Sequence, residues 1–324
     1  MNFGNQNPRR PDSGGPNSGG LDANIPDSSD LASSSLNPKA RTSLAIGAIF
    51  IALAFFANTL QSVFGKFVAS GLSVELFTWG TFLGALVIMI PILALRGFRD
   101  LPTQVAKYHL LRGVTGISGF LLFIAAAQLT NLVNANVLLN TTPIFIPLLA
   151  LLFLGQKISS KLWVAIAMGF AGMVIVVKPD ASLFTNPGNL VALGAGFVTA
   201  IEFLVVKHLD ETETPITQMF YFLLIGAICS TFLALGKFQP ITHQQLTVMV
   251  ATAGCLVAFQ FLLIKAYLYA KPHEIGAFQY SSVVFAALLG WIIFKESITA
   301  GVIVGTILIC LGGILSITAR VEKT

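Results

Sequence analysis

Residues 140–157, NTTPIFIPLLALLFLGQK, and residues 280–297, YSSVVFAALLGWIIFKES, follow one grammar 140 positions apart. Each opens on polar residues, runs through an apolar stretch and stops at a tight break, at Gln156 in one and Glu296 in the other. Each break leads into a further apolar run with small residues nine and sixteen positions on. These are Ala165 and Gly172 in the first copy, Gly305 and Gly312 in the second. Between 140–178 and 280–318 the identities are Phe145/Phe285, Leu148/Leu288, Leu149/Leu289, Ile158/Ile298, Val164/Val304 and Gly172/Gly312. Two unrelated apolar helices would share nearly as many, so the order of features carries the comparison. That order predicts a duplicated architecture.

Composition says what kind of duplication. Of 324 residues, 55% are apolar and 10% charged, with a mean hydropathy of +0.81. Soluble domains carry about 25% charged residues, so this chain is built for hydrocarbon. A bilayer core takes about 20 apolar residues of helix to cross. Ten stretches qualify: 44–64, 74–95, 110–129, 133–154, 161–177, 189–206, 217–236, 246–269, 275–294 and 299–318. A transmembrane barrel would show weak ten-residue alternation, and these runs do not alternate. The expected fold is an all-α integral membrane protein of ten transmembrane helices in two five-helix repeats. An odd number of helices per repeat inserts the second copy upside down. The expected boundaries are a disordered tail at 1–43 and repeats at 44–178 and 188–319. The tail is rich in Gly, Ser, Pro, Asn and Asp and cannot bury enough apolar surface to offset its ordering entropy. It lacks the short apolar core and cleavage site of a secretory signal.

The net charge of +5 is an orientation signal rather than nucleic-acid affinity. With the N-terminus inside, only Lys66, Lys178, Lys237 and Lys295 of the 19 Lys and Arg fall outside. That bias is the one that orients helices during insertion. A multi-pass protein of the cell inner (plasma) membrane with both termini cytoplasmic is expected. Cys229, Cys255 and Cys310 lie in apolar spans without CxxC spacing, which argues against a disulfide framework or a zinc site.

Polar side chains inside hydrocarbon are costly, so they face a cavity, a partner helix or the interface. Glu202 is the one acidic residue well inside a span, with Thr199 and Val206 on its face. It reads as a proton-coupling or cation-binding residue, or as a Glu satisfied by a neighbouring helix or by Lys207. Asn136, Asn140, Pro143 and Pro147 form one stripe of the fourth span. Prolines leave carbonyls without donors, which are tolerated where they line a cavity; the bland alternative is hydrogen bonding between helices. Asn58 and Gln61 share a face of the first span, Gln218 and Tyr221 of the seventh, Gln260 and Tyr267 of the eighth. The ninth offers Gln279, Tyr280 and Ser282. Amides beside aromatic rings suit a partly planar organic cargo. Arg112 and Lys265 sit near helix ends and read as snorkelling to the interface. Gly80/Gly84 and Gly301/Gly305 permit close helix approach, within the chain or at a homodimer contact. The scattered His109, His208, His243 and His273 offer no metal-ligand spacing. There is no phosphate-binding loop and no nucleophile constellation.

Three passages resemble the drug/metabolite transporter superfamily in its EamA-type, ten-helix form. One is Leu111-Arg112-Gly113, continuing through Asn134-Ala135-Asn136 to Pro143 and Leu154-Gly155-Gln156-Lys157. Another is Ala266-Tyr267 through Lys271-Pro272 to Gln279-Tyr280-Ser281. The last is Ala287-Leu288-Leu289-Gly290-Trp291 through Phe294-Lys295-Glu296. With Asn58 to Lys66 the resemblance covers nearly all of 44–318. It departs at Gln156, where the family usually has Glu. The resemblance implies a central cavity and secondary transport of small metabolites.

The expectation is therefore a secondary active transporter, not an enzyme, that moves a small organic metabolite by alternating access. Amino acids, nucleoside-like compounds such as S-adenosylmethionine, and vitamins all fit the amide- and tyrosine-rich walls. Its partners would be that cargo and the membrane lipids, with no nucleic acid and no cofactor. A lipid-linked or sugar flippase would want a larger basic cavity, and a polytopic membrane enzyme a metal cluster or carboxylate pair. A sensor on the same scaffold would need the tail.

Overall fold

The protein is described here as a computed structural model that places residues 38–68, 72–95, 98, 101–129, 132–179, 186–295 and 298–318. The expected tail lies outside these residues up to position 37. In the first half the helices are α1 (Pro38–Val68), α2 (Val74–Leu95), α3 (Ala106–Leu129), α4 (Leu132–Leu139), α5 (Thr142–Leu154) and α6 (Ser160–Val177). In the second they are α7 (Gly188–Leu209), α8 (Pro215–Ala234), α9 (His243–Tyr269), the single turn α10 (Pro272–Ile275), α11 (Ser281–Phe294) and α12 (Ala300–Thr318). A 3₁₀ segment, Gly276–Tyr280, joins α10 to α11. Helix is the economical answer here, because a helix bonds every backbone group within its own segment and lipid offers none. Nine spans among the described residues are long and apolar enough to cross a membrane. The 24-residue α3 also exceeds the roughly 20 residues a bilayer needs. This is a multi-pass, all-helical membrane protein.

Local chemistry sets the helix ends. Thr214 caps α8 by accepting from the Thr217 amide, with Pro215 in the first turn. Thr242 and Gln245 form a reciprocal capping box at α9. The most telling ends are those of α5 and α11. Gly155 closes α5 with φ 60° and Lys295 closes α11 with φ 58°. Both are left-handed, and they lie 140 residues apart.

The packing shows the inversion directly. A Cβ added to Gly172 would lie 2.6 Å from the Gly305 carbonyl, and one on Gly312 would lie 2.7 Å from the Ala165 carbonyl. Adding 140 to Ala165 gives Gly305, and adding 140 to Gly172 gives Gly312. Each small residue of α6 thus meets the repeat-mate of the other, so α6 and α12 cross through a two-fold seam of the isologous kind. The same exchange relates α1 on α9 to α7 on α3, while α2 packs on α8. Gly113 against Ile225 and Gly84 against Ala253 exchange to within one residue. Gly80 and Gly84 therefore serve contacts to α9, and Gly305 a contact to α6, all inside the chain.

The structure corrects the sequence reading of two spans. The fourth is two helices, broken at Asn140-Thr141, where Pro143 removes an amide that a continuous helix would use. The ninth begins as a turn and a 3₁₀ segment before α11. The second break, Tyr280-Ser281, again lies 140 positions on.

Candidate functional site

Two interrupted spans at equivalent places in the two halves are the feature around which the site is built. At the first, Pro143 cannot donate to the Leu139 carbonyl, and the Thr142 hydroxyl donates to it instead at 2.7 Å. The same hydroxyl reaches the Gly196 carbonyl of α7 at 3.1 Å. A side chain on Gly196 would collide with the carbonyls of Leu138 and Leu139, so the break is seated directly on α7. Pro147 likewise leaves the Pro143 carbonyl without its helical donor. At the second break, Ser282 donates to the Gln279 carbonyl at 2.9 Å. The Thr59 hydroxyl of α1 lies 3.4 Å from the Ser282 carbonyl. The two interrupted spans meet: a Cβ on Gly276, where the 3₁₀ segment begins, would sit 3.6 Å from that of Pro143.

Buried polar atoms without a protein partner among the described residues include Gln61 Oε1 of α1 and, at the second break, Gln279 Nε2, Tyr280 Oη and Ser281 Oγ. Each such atom costs about 1–3 kcal/mol if left unmade. Tyr280 stands apart from the others, wedged against Gly169 of α6 and packed with Val137, Met173 and Ile309. Asn58 and Asn140 are half-buried, and the Asn136 side chain lies outside the described residues.

A second polar cluster sits towards the end of the bundle at which α1 begins, called here the near end. Arg112 of α3 is fully buried, which overturns the expectation that it snorkels. Its Nη1 donates to the backbone carbonyl of Gln218 at 3.1 Å and to its Oε1 at 3.3 Å. Its Nη2 donates to Gln260 Oε1 at 2.7 Å. Gln218 Nε2 passes the chain on to Asp210 Oδ1 at 2.7 Å. The guanidinium lies 5.0 Å from the centre of the Phe222 ring. Lys207 donates to the Tyr267 carbonyl at 2.6 Å, so it does not satisfy Glu202. Glu202 is buried, its carboxyl against Gly116 of α3 and on the same side as Phe222. Arg112 acts on it electrostatically, without a direct ion pair among the described residues. Asp210, just beyond α7, has its carboxyl pushed up to about 6, chiefly by burial.

The structure thus unites Gln218, Gln260 and, nearby, Tyr267 and Glu202. It does so around an arginine that the residue-by-residue reading had placed at the surface. Tyr221 turns away: its hydroxyl donates to the Leu101 carbonyl at 2.8 Å, and its ring lies 4.5 Å from that of His109. Lys265 is half-buried, its Nζ 5.7 Å from the Phe261 ring centre. Glu75 pairs with Lys237, and Glu274 accepts from the Lys271 amide at 2.8 Å, each a local role. Asp210 escaped the sequence reading because nothing in its neighbourhood marks a turn residue as buried.

Broken helices in repeat-related positions, with unsatisfied polar groups around them, define a membrane transporter built of inverted halves. The comparisons with known proteins agree. The EamA-like transporter family matches residues 45–178 and again 186–318, and the chain belongs to that family. Its members are transporters rather than enzymes. Among similar proteins is a riboflavin transporter of Vibrio cholerae, 32% identical over 65% of this chain and 71% of its own. An S-adenosylmethionine uptake transporter of Rickettsia bellii is 25% identical over 78% of this chain and 86% of its own. A pseudopaline exporter of Pseudomonas aeruginosa is 23% identical over 81% and 93%. One crystal structure superposes with a TM-score of 0.71 over 85% of this chain and 96% of that one, at 17% identity. That last likeness speaks to the fold alone.

Proposed function

We propose that the protein is a secondary active transporter that carries a small organic metabolite across the inner membrane by alternating access, with both termini cytoplasmic. The observation that carries this reading is the pair of breaks at Asn140-Thr141 and Tyr280-Ser281. Gln61, Gln279 and Ser281 hold unused hydrogen-bonding capacity around them, and a polar cargo recovers what their burial costs. Asn58, Asn136, Asn140, Gln218, Tyr221, Gln260, Tyr267 and Tyr280 complete the proposed cargo-binding set. Of these, Gln218, Gln260 and Tyr221 are engaged with protein partners in this conformation. They reach cargo after those bonds open. Glu202 is the proposed proton-coupling residue, a buried carboxyl beside a buried cation.

The relatives named above are transporters of riboflavin, S-adenosylmethionine and pseudopaline, and an amide-rich site suits small polar organic cargo. Amino acids, S-adenosylmethionine-like compounds and vitamins are the classes to test. The purified protein in detergent would be melted in the presence of each. A cargo at a hundredfold excess over Kd stabilises by about 2.7 kcal/mol and shifts the melting temperature. A hit restricted to one class, followed by counterflow in liposomes, supports the reading. Binding without counterflow would overturn transport in favour of sensing.

A further inference from the structure

The two-fold relation between the halves makes every near-end feature comparable with a far-end one. Shifting by 140, Arg112 corresponds to Thr252, Gln218 to Thr78 and Gln260 to Phe120. Thr252 and Thr78 each donate to a carbonyl of their own helix, Val248 at 2.7 Å and Val74 at 2.7 Å. Phe120 offers no polar group at all. Where three spans are tied at the near end by a buried guanidinium, the equivalent far-end residues make no tie between spans among the described residues. Beside two of the three lies a cleft of about 250 Å³, lined by Thr78, Phe120, Leu121 and Glu75 among others. Two of those lining residues are the repeat-mates of Gln218 and Gln260.

We infer that the Arg112 knot is the near-end gate of the transport path, and that the cleft marks the same gate, opened, at the far end. This rests on the transport reading. The far end does have ties of its own, and magnitudes decide between the two. Lys237 and Glu75 are 48% and 32% exposed, and an exposed pair is worth about 0–1 kcal/mol. Trp79 donates to Thr231 at 3.1 Å, also at an exposed site. Bonds to a buried charged group are worth more, about 1.5–3 kcal/mol each. Opening the near end breaks the stronger set, whereas the far-end pairs, already made in this conformation, are the weaker ones. The unliganded protein therefore rests closed at the near end. Cargo lowers the cost of opening by replacing protein as the partner of Gln218 and Gln260.

Cysteine labelling tests this without any cargo, so its outcome is separate from whether transport is found. Cys229, Cys255 and Cys310 would be replaced by Ala, and one reporter introduced by Ser73→Cys, at the half-buried rim of the far-end cleft, or by Thr115→Cys one turn beyond Arg112. A water-soluble maleimide on the purified protein should label the Ser73→Cys reporter quickly and the Thr115→Cys reporter, at a buried site, slowly. Arg112→Met or Gln260→Leu should speed labelling of the Thr115→Cys reporter at least about tenfold and slow that of the Ser73→Cys reporter. Gln260→Glu, which gives the guanidinium an ionic partner, should slow the Thr115→Cys reporter further. Should Arg112→Met fail to fold, the two Gln260 variants decide the matter with opposite expected signs. Equal labelling of both reporters in the parent, or Gln260 variants that leave both rates unchanged, would overturn the gate.

Discussion

Asp210 holds its proton more tightly in the folded chain than a free aspartate does, with a value of about 6 against a reference of 3.8. The folded state therefore binds more protons than the unfolded state between those values. On its account stability is full below about pH 4 and is lost as pH rises through 6, by up to about 3 kcal/mol. Asp210→Asn keeps an oxygen for Gln218 and removes the charge. It should raise the melting temperature at pH 7.5 and leave it unchanged near pH 4; equal effects at both pH values would refute the account. Glu202 makes a sharper demand. Glu202→Gln should abolish uphill transport driven by a pH gradient while sparing cargo exchange between compartments of equal pH. Gradient-driven uptake at parental rate would remove Glu202 from the coupling role. Glu202 was legible as a lone acid inside an apolar span. Arg112 was misread because its position near a helix end admits either burial or snorkelling. What settles the choice is a pair of glutamines 106 and 148 residues away, which no local pattern reveals.

At the scale of the element, the breaks were half visible. Pro143 and Pro147 announced irregular backbone, but a proline near a helix start is as compatible with a kink as with a new beginning. The position of the break depends on a hydroxyl that stands in for a missing amide, Thr142 on Leu139. In the second copy no proline lies at the equivalent break, and Ser282 on Gln279 was the remaining cue. The helix ends yield a quantitative test. Lys295 adopts the conformation that Gly155 adopts, and a side chain there costs about 1 kcal/mol. Lys295→Gly should therefore stabilise the protein by about that amount, and Gly155→Ala should destabilise it similarly, as read by thermal unfolding in detergent. Opposite signs would mean that the caps are not held in this geometry.

For the whole molecule, apolar runs, charge bias and a 140-residue offset were enough to reach ten inverted spans. Those signals are set by the bilayer and by insertion rather than by particular contacts. Small residues at 165, 172, 305 and 312 were noticed in the sequence, and the structure shows that they form one seam. Gly172→Ala and Gly305→Ala should each cost about 1–3 kcal/mol by overpacking, since each added Cβ meets the other's carbonyl at 2.6 or 2.5 Å. The double variant should cost less than the sum, because either change alone already parts the helices; strict additivity would show that the seam is not shared. That seam also bears on ancestry. Each half presents small residues at the positions where it receives them, so a half with glycine at both positions meets the seam's need for close approach from either side. A single five-helix polypeptide inserted in both orientations would already hold what it needs to pair with itself. Within one chain the two copies are free to differ, and an arginine in one whose repeat-mate in the other is a threonine shows that they do.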